Sequence, residues 1–271
     1  MTYEFDADTA VVEVEPGIFR GNVHDRWNVG PVPNGGYLLA MAARAIGAKL
    51  PGRELRTITA HYLRPARCAP IEIEVEPVKE GRTYATAMAR LIQEVADADG
   101  VVAKREHARV LATFASPDAR PGPEHVRGTP PELPPVEECL RGPMTDAVAI
   151  THRFDTRYAP ETGGFFAGNL SGRAELRAWV RFVDGREPDV DALPLIADAL
   201  PPPILNVTTF RWVPTIELTV HVRARPAPGW LRCKFESRFV FGGYLEADGE
   251  IWDSAGNLVA QSRQLMSAGT E

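Results

Sequence analysis

Between residues 71 and 76 the chain alternates without a break. Ile71, Ile73 and Val75 fall on one side, and Glu72, Glu74 and Glu76 on the other. A period of two with one apolar face predicts a half-buried antiparallel strand. The pattern changes over 36–50 (GYLLAMAARAIGAKL), where Leu39, Ala42, Ala43, Ile46 and Leu50 recur at helical spacing. Asn34 is placed to cap that helix, and Gly35 and Gly36 open it. Small residues along it (Ala40, Ala42, Ala43, Ala45 and Gly47) would let a sheet approach closely. Further strands are expected at 56–64, 71–78, 83–94 and 101–114, with Glu80-Gly81 suiting a hairpin connection.

The order recurs in the second part of the chain. A strand is expected at 174–183 and a short helix at 191–200. Strands then fall near 213–225, 230–241, 244–252 and 257–266. Gly242-Gly243, Asp248-Gly249 and Ser254-Ala255-Gly256-Asn257 read as hairpin turns. The stretch from His61 to Pro65 is loosely echoed by His221 to Pro226, a lag of roughly 160.

Between the two patterns the composition shifts. Eight of the 34 positions from 117 to 150 are proline, against 24 of 271 in the whole chain. Proline fixes φ and removes a donor, so this stretch suits neither a continuous helix nor a central strand and reads as a surface linker. The expected division is a first unit at 1–116, a linker at 117–150 and a second unit at 151–271. Each unit is an α+β layer in which a curved antiparallel sheet wraps one helix. Two unrelated α+β domains remain an alternative that the pattern leaves open.

Composition and charge narrow the function classes. With 30 basic and 36 acidic residues the net charge is −6, which argues against a nucleic-acid surface. No apolar run reaches the length of a membrane span. The N-terminal stretch MTYEFDADTA is acidic and lacks a hydrophobic signal core, so a cytoplasmic location is expected. Cys68, Cys139 and Cys233 are odd in number and far apart, so neither a disulfide framework nor a metal site is expected.

Familiar catalytic motifs are absent: there is no GxGxxG, Walker loop, HExxH or CxxC. Gly168-Asn169-Leu170-Ser171-Gly172 has the wrong spacing for a nucleophile elbow and reads as a loop. His61 and His221 lie within expected strands, where packing or exposure explains them. Asp198 is more unusual, an acid flanked by apolar residues in LIADAL (195–200) on a helix candidate. A carboxylate there must face solvent, find a partner or work in a pocket. Thr215 opens the strand TIEL and Gln264 lies on the last strand; composition alone would single out neither.

The blocks TITAHYLRPA (57–66), VLATFASP (110–117), AELRAWVRF (174–182), LPLIADAL (193–200), PTIELTVHV (214–222), GWLRCKFES (229–237) and DSAGNLVAQSRQ (253–264) carry a resemblance. In their order and spacing the chain resembles the acyl-CoA thioesterase II family, a tandem double hotdog. The likeness covers most of the chain outside the linker. It implies hydrolysis of an acyl-CoA in fatty acid metabolism, with coenzyme A entering as part of the substrate and no separate cofactor. It also implies an Asp/Thr/Gln set holding a water beside the thioester, which here falls on Asp198, Thr215 and Gln264. Asn34, Gly35 and Gly36 at the helix start are the expected substrate-binding residues, their backbone N–H groups offering oxyanion stabilisation.

Some features depart from that pattern. Pro201-Pro202-Pro203 should end or kink the helix within a few residues of Asp198. Glu217 lies two residues past Thr215, on the same face of a regular strand, where it could compete as an acid or raise the pKa of Asp198. The helix at 36–50 carries no acid, so one active site per chain is expected. Two other functions fit the same scaffold: a non-catalytic acyl-CoA or acyl-chain binding protein, and a dehydratase or other lyase. The latter calls for a histidine followed by glycine at a spacing where His221 meets Arg225. Sheet edges could also pair two chains into a homo-oligomer.

Overall fold

The computed structural model describes residues 2–96, 99–116, 123, 125–208 and 212–268. Helix α1 (Glu4–Asp8) and strands β1 (Val12–Glu15) and β2 (Ile18–Asn22) come first. A small ribbon of β3 (Asn28–Val29) and β4 (Val32–Pro33) leads into helix α2 (Gly35–Lys49). Strands β5 (Glu54–Tyr62), β6 (Pro70–Glu80), β7 (Tyr84–Ala96) and β8 (Val102–Ala115) follow. The second half begins with β9 (Leu140–Arg141), β10 (Phe154–Tyr158) and the helical turn α3 (Pro160–Gly163). It continues with β11 (Glu175–Phe182), α4 (Leu193–Ile196), β12 (Thr215–Val222) and β13 (Leu231–Glu236), then β14 (Val240–Phe241), β15 (Tyr244–Trp252) and β16 (Leu258–Ser267).

Fourteen strands make one antiparallel sheet, ordered β1-β2-β6-β7-β8-β5-β12-β16-β15-β13-β11-β10-β9, with β14 pairing β15. Outward from the β5·β12 seam the two sides read alike: β5-β8-β7-β6-β2 on one, β12-β16-β15-β13-β11 on the other. At the seam Thr59 pairs with Thr219, and their hydroxyls are 2.8 Å apart across a sequence separation of 160. The sequence echo thus marks two strands related by a local pseudo-two-fold.

Helix α2 lies in the hollow of the first half-sheet. Tyr37, Leu38, Leu39, Ala40, Met41, Ala42, Ala43, Ala45 and Ile46 are all buried. They share one core cluster with inward-facing Ile58, Ile73, Ala87, Ala89 and Ala112; alanine on both surfaces lets helix and sheet pack closely. Asn34 caps the helix, its Oδ1 accepting from the Tyr37 N–H at 2.9 Å. The N-terminal segment is pinned from both sides. The buried Tyr37 hydroxyl donates to the Asp8 carbonyl at 2.8 Å, and Arg186 from the second half binds the Asp6 carboxylate through two nitrogens.

Several expectations change. The helix expected at 191–200 is only the single turn α4. Prolines at 201–203 forbid its continuation, and the chain turns at Ala197 and Asp198 before a 3-10 turn at Pro203–Asn206. The strand expected at 230–241 is broken into β13 and β14. Gly242-Gly243 does turn the chain, with φ of 61° and 82°, as a tight hairpin requires. Asp248-Gly249, however, lies inside β15. A Cβ on Gly249 would stand 2.3 Å from Ser262 Oγ and 2.5 Å from Phe235 Cε1, so this glycine admits cross-strand packing rather than a turn.

Of the expected linker, residues 117–122 and 124 lie outside the described residues. Its later part runs along the second half-sheet. Arg177 donates to the Glu132 carbonyl and the Trp179 indole N–H to the Pro134 carbonyl, both at 2.9 Å, before β9 pairs with β10. The outer strands of the sheet are therefore β1 and β9, of four and two residues, which leaves little backbone for pairing a second chain. Among the described residues no helix is long and apolar enough to cross a membrane.

Candidate active site

Asp198, Thr215 and Gln264 come from three separate elements and meet. Asp198 sits just past α4, in the turn that follows its last residue, Ile196. Gln264 is on β16, on the inward face with buried Ser262 and Ala260. Thr215 opens β12, where the pairing with β16 slips: Thr215 faces Met266, while Glu217 already faces Leu265. This bulge puts Thr215 on the inward side and Glu217 on the outward side. The regular-strand expectation that Glu217 shares a face with Thr215 is thereby overturned. Glu217 instead accepts a hydrogen bond from the Thr219 hydroxyl.

The three side chains form a directional line. The Thr215 hydroxyl donates to Gln264 Oε1 at 2.8 Å. That bond turns the amide so that Nε2 points at Asp198 Oδ1, 3.4 Å away. The other oxygen, Oδ2, is held more firmly from the first half of the chain, by Asn34 Nδ2 at 2.9 Å and the Gly36 backbone N–H at 2.8 Å. Asn34 Nδ2 also donates to the Asp198 carbonyl at 2.8 Å. The carboxylate therefore lies at the N-terminus of α2, where exposed backbone N–H groups favour negative charge. Burial nevertheless pushes Asp198 up to about 6, against hydrogen bonds from Gly36, Gln264, Asn34 and Gly35 that favour the charged form.

Asn34, Gly35 and Gly36 thus stand directly against Asp198, and the Gly36 N–H expected to face an oxyanion is bonded to the carboxylate. The glycines have a packing reason as well. A Cβ on Gly36 would be 2.6 Å from the Pro194 carbonyl oxygen and 2.7 Å from Asp198 Cβ. A Cβ on Gly35 would be 2.8 Å from Tyr62 Cζ and 2.9 Å from its hydroxyl oxygen. Helix α2 can meet α4 and β5 this closely only without side chains there.

Tyr62 belongs to this cluster, and nothing in the sequence alone singles it out. It ends β5 on the same face as buried Ile58 and Ala60, so strand alternation alone directs it inward. Its hydroxyl is sealed from solvent and has no hydrogen-bond partner among the described residues. Burial, with the charges of Asp198 and Glu217, raises its pKa well above the usual phenol value, so it is a neutral O–H donor. Two clefts open elsewhere, one bounded by Arg141, Arg181 and Trp230 and one by Glu4, Trp27 and Arg153; neither is lined by Asp198, Thr215 or Gln264.

Comparisons with known proteins cover most of the chain. The acyl-CoA thioesterase N-terminal domain matches residues 23–115, and the acyl-CoA thioesterase C-terminal domain matches residues 128–268. Among solved structures, a candidate thioesterase II from Thermobifida fusca is 31% identical, with 98% of each chain covered and a TM-score of 0.88. A protein of unknown function with a hot dog fold, from Alicyclobacillus acidocaldarius, is 23% identical over 100% of both chains with a TM-score of 0.85; the two share that fold. An uncharacterised protein of Mycobacterium tuberculosis, Rv0499, is 26% identical over 92% of this chain and 90% of its own length.

Proposed function

We infer, from the premise that this chain belongs to the acyl-CoA thioesterase family, that it hydrolyses an acyl-CoA to free acid and CoA with a water held by Asp198, Thr215 and Gln264. The observation that carries this reading is the line Thr215–Gln264–Asp198, ending on a carboxylate whose pKa is about 6. Such a group is ionised at neutral pH and still basic enough to accept a proton in the transition state. Oδ1 is the acceptor, because Oδ2 already takes two short hydrogen bonds. Thr215 and Gln264 hold the water in attacking geometry. The water oxygen bonds to the thioester carbonyl carbon as its proton passes to Oδ1. The C–S bond then breaks, and that proton leaves with the sulfur as the CoA thiol.

The finer architecture of this reading is a tandem double hotdog. Units at 1–116 and 151–271 are joined by 117–150, with α2 and α4 at their centres. The mirrored strand order about the seam supports it. The site draws Asn34 and Gly36 from one unit and Asp198, Thr215 and Gln264 from the other, so one chain suffices for chemistry. The acyl tail runs between the units, and basic side chains at the rim receive the CoA phosphates.

An acyl-CoA binding protein without turnover would need no proton acceptor, and the raised pKa of Asp198 favours hydrolysis over it. A lyase would need a histidine beside the acid, and none is among the hydrogen-bond partners of Asp198 in the described residues. The test is thiol release from acyl-CoAs of graded length by the wild type and Asp198→Asn. Loss of about 10²-fold or more is expected on removing a general base. Activity within about threefold of wild type would overturn the assignment, and tight binding without release by the wild type would favour the binding protein.

A further inference from the structure

The donors around Asp198 are almost all engaged. Both N–H bonds of the Asn34 amide go to Asp198 atoms, the Gly36 N–H goes to Oδ2, and the Thr215 hydroxyl goes to Gln264. Hydrolysis places negative charge on the thioester oxygen, and that oxygen needs a donor. The Gly35 backbone N–H also faces the carboxylate, so among side-chain donors one N–H of Gln264 and the Tyr62 hydroxyl are what remain. The Tyr62 hydroxyl oxygen and Asp198 Oδ2 lie 2.9 Å and 3.1 Å from the same point beside Gly35, hence at most 6.0 Å apart, with no hydrogen bond between them. The two polar groups are thus neighbours, and the Tyr62 hydroxyl is left without a partner.

We propose that the Tyr62 hydroxyl donates a hydrogen bond to the carbonyl oxygen of the bound thioester and to the oxyanion formed from it. This rests on the hydrolase reading and adds the group that reading lacks. The alternative recipient, the attacking water, is disfavoured by chemistry. The water already has Gln264 and Asp198 to hold it, whereas the carbonyl oxygen has no side-chain donor assigned to it. Tyr62 keeps its proton throughout: water forms the new C–O bond, the carbonyl π pair moves to oxygen, Asp198 takes the water's proton, and collapse expels the thiolate. The pKa well above the phenol range agrees with a hydrogen-bond donor that does not transfer its proton.

The test is Tyr62→Phe, which keeps the ring that packs against the core and removes only the O–H. With acyl-CoA substrates, kcat should fall about 10²-fold, the usual effect of removing one oxyanion donor. KM should rise by up to about tenfold, because the bond is also made to the ground-state carbonyl, and the acid limb of the pH profile should stay in place. A second arm needs no turnover. Binding of two CoA thioethers is compared, an S-(2-oxoalkyl) compound carrying a carbonyl and an S-alkyl compound lacking one. Tyr62→Phe should weaken the first about tenfold, as expected for one lost hydrogen bond, and leave the second unchanged. If the wild type hydrolyses no acyl-CoA, the hydrolase reading fails and the binding arm still decides the role of Tyr62. A kcat within threefold of wild type in an active enzyme overturns the proposal. So does equal loss for both thioethers, loss for neither, or failure of the wild type to bind either.

Discussion

The Gly36 backbone N–H, in the first turn of α2, donates a 2.8 Å hydrogen bond to Oδ2 of Asp198, 162 positions further along the chain. The helix of one half therefore holds the acid of the other. Bonded from Oδ2 and buried, the carboxylate is subject to two opposed forces. Burial disfavours its charge, and the helix N-terminus with Asn34 favours it. The balance leaves an acid that titrates close to the pH at which it would have to work.

That balance predicts the pH dependence. Activity should rise with pH through a single limb near pH 6 and level off above it, because the ionised carboxylate is the active form. Asn34→Ala removes one of the bonds that favour the charge, so the limb should move to higher pH by up to about one unit. A kcat/KM profile from pH 4.5 to 9 for both proteins is the measurement. The variant also loses the α2 cap, at a cost of about 1 kcal/mol, so stability is followed alongside.

The same shift fixes the sign of a stability effect. The pKa of Asp198 is raised from 3.8 in the unfolded chain to about 6 in the fold. Between those values the folded state holds the proton and the unfolded state has lost it, so stability falls as pH rises through this window and stays lower above it. Asp198→Asn carries no such titration. Its stability advantage over the wild type should be small near pH 4, grow to about pH 6 and then plateau, at no more than about 3 kcal/mol for a shift of roughly two units. Denaturant unfolding of both proteins across pH measures it; an advantage that shrinks as pH rises contradicts the assigned direction.

Much of the fold around this site is legible in residue patterns, and the reasons are physical. Alternation at Ile71–Val75 and the helical spacing of Leu39, Ala43 and Ile46 are direct records of one buried face, so β6 and α2 emerge where expected. Strand β1, whose four residues are all exposed, has no buried face to record. Asp248-Gly249 carries the letters of a turn, but only the packing of Phe235 and Ser262 across strands explains that glycine. The Asp/Thr/Gln set is legible only through the resemblance, and its geometry depends on a bulge at Thr215 that no local pattern announces. Tyr62 was legible as a strand residue but not as an unpartnered donor, because that property belongs to the assembled cluster.

The hydroxyl of Thr215 should act through Gln264. Thr215→Val keeps the shape and removes the 2.8 Å donation to Oε1, so the amide loses the bond that points Nε2 at Asp198. A fall in kcat of about tenfold is expected, the scale of one lost orienting hydrogen bond. Thr215→Ser, which retains the donor, should recover most of the activity. Equal loss in both variants would assign the effect to packing at the bulge instead.

The two glycines should fail in different ways when given a methyl group. Alanine is the better helix former by about 1 kcal/mol, so in a helix open to solvent either change would stabilise. At Gly36 the new Cβ would meet the Pro194 carbonyl oxygen at 2.6 Å and Leu195 Cα at 3.1 Å, as well as Asp198 Cβ at 2.7 Å. Backbone atoms cannot rotate aside, so α2 and α4 must separate, and Gly36→Ala should lose about 1–3 kcal/mol of stability. At Gly35 the neighbours are side-chain atoms, Tyr62 Cζ and Oη at 2.8 and 2.9 Å and Asp198 Oδ2 at 3.1 Å. Those can shift, so Gly35→Ala should keep a melting temperature close to the wild type. Its cost falls on the chemistry, because the phenol and the carboxylate beside it are displaced. Thermal unfolding and thiol-release kinetics on both variants separate the outcomes. Stability loss should dominate at Gly36 and activity loss at Gly35, and the reverse order would mean that the helices, rather than the side chains beside them, absorb the strain at Gly35.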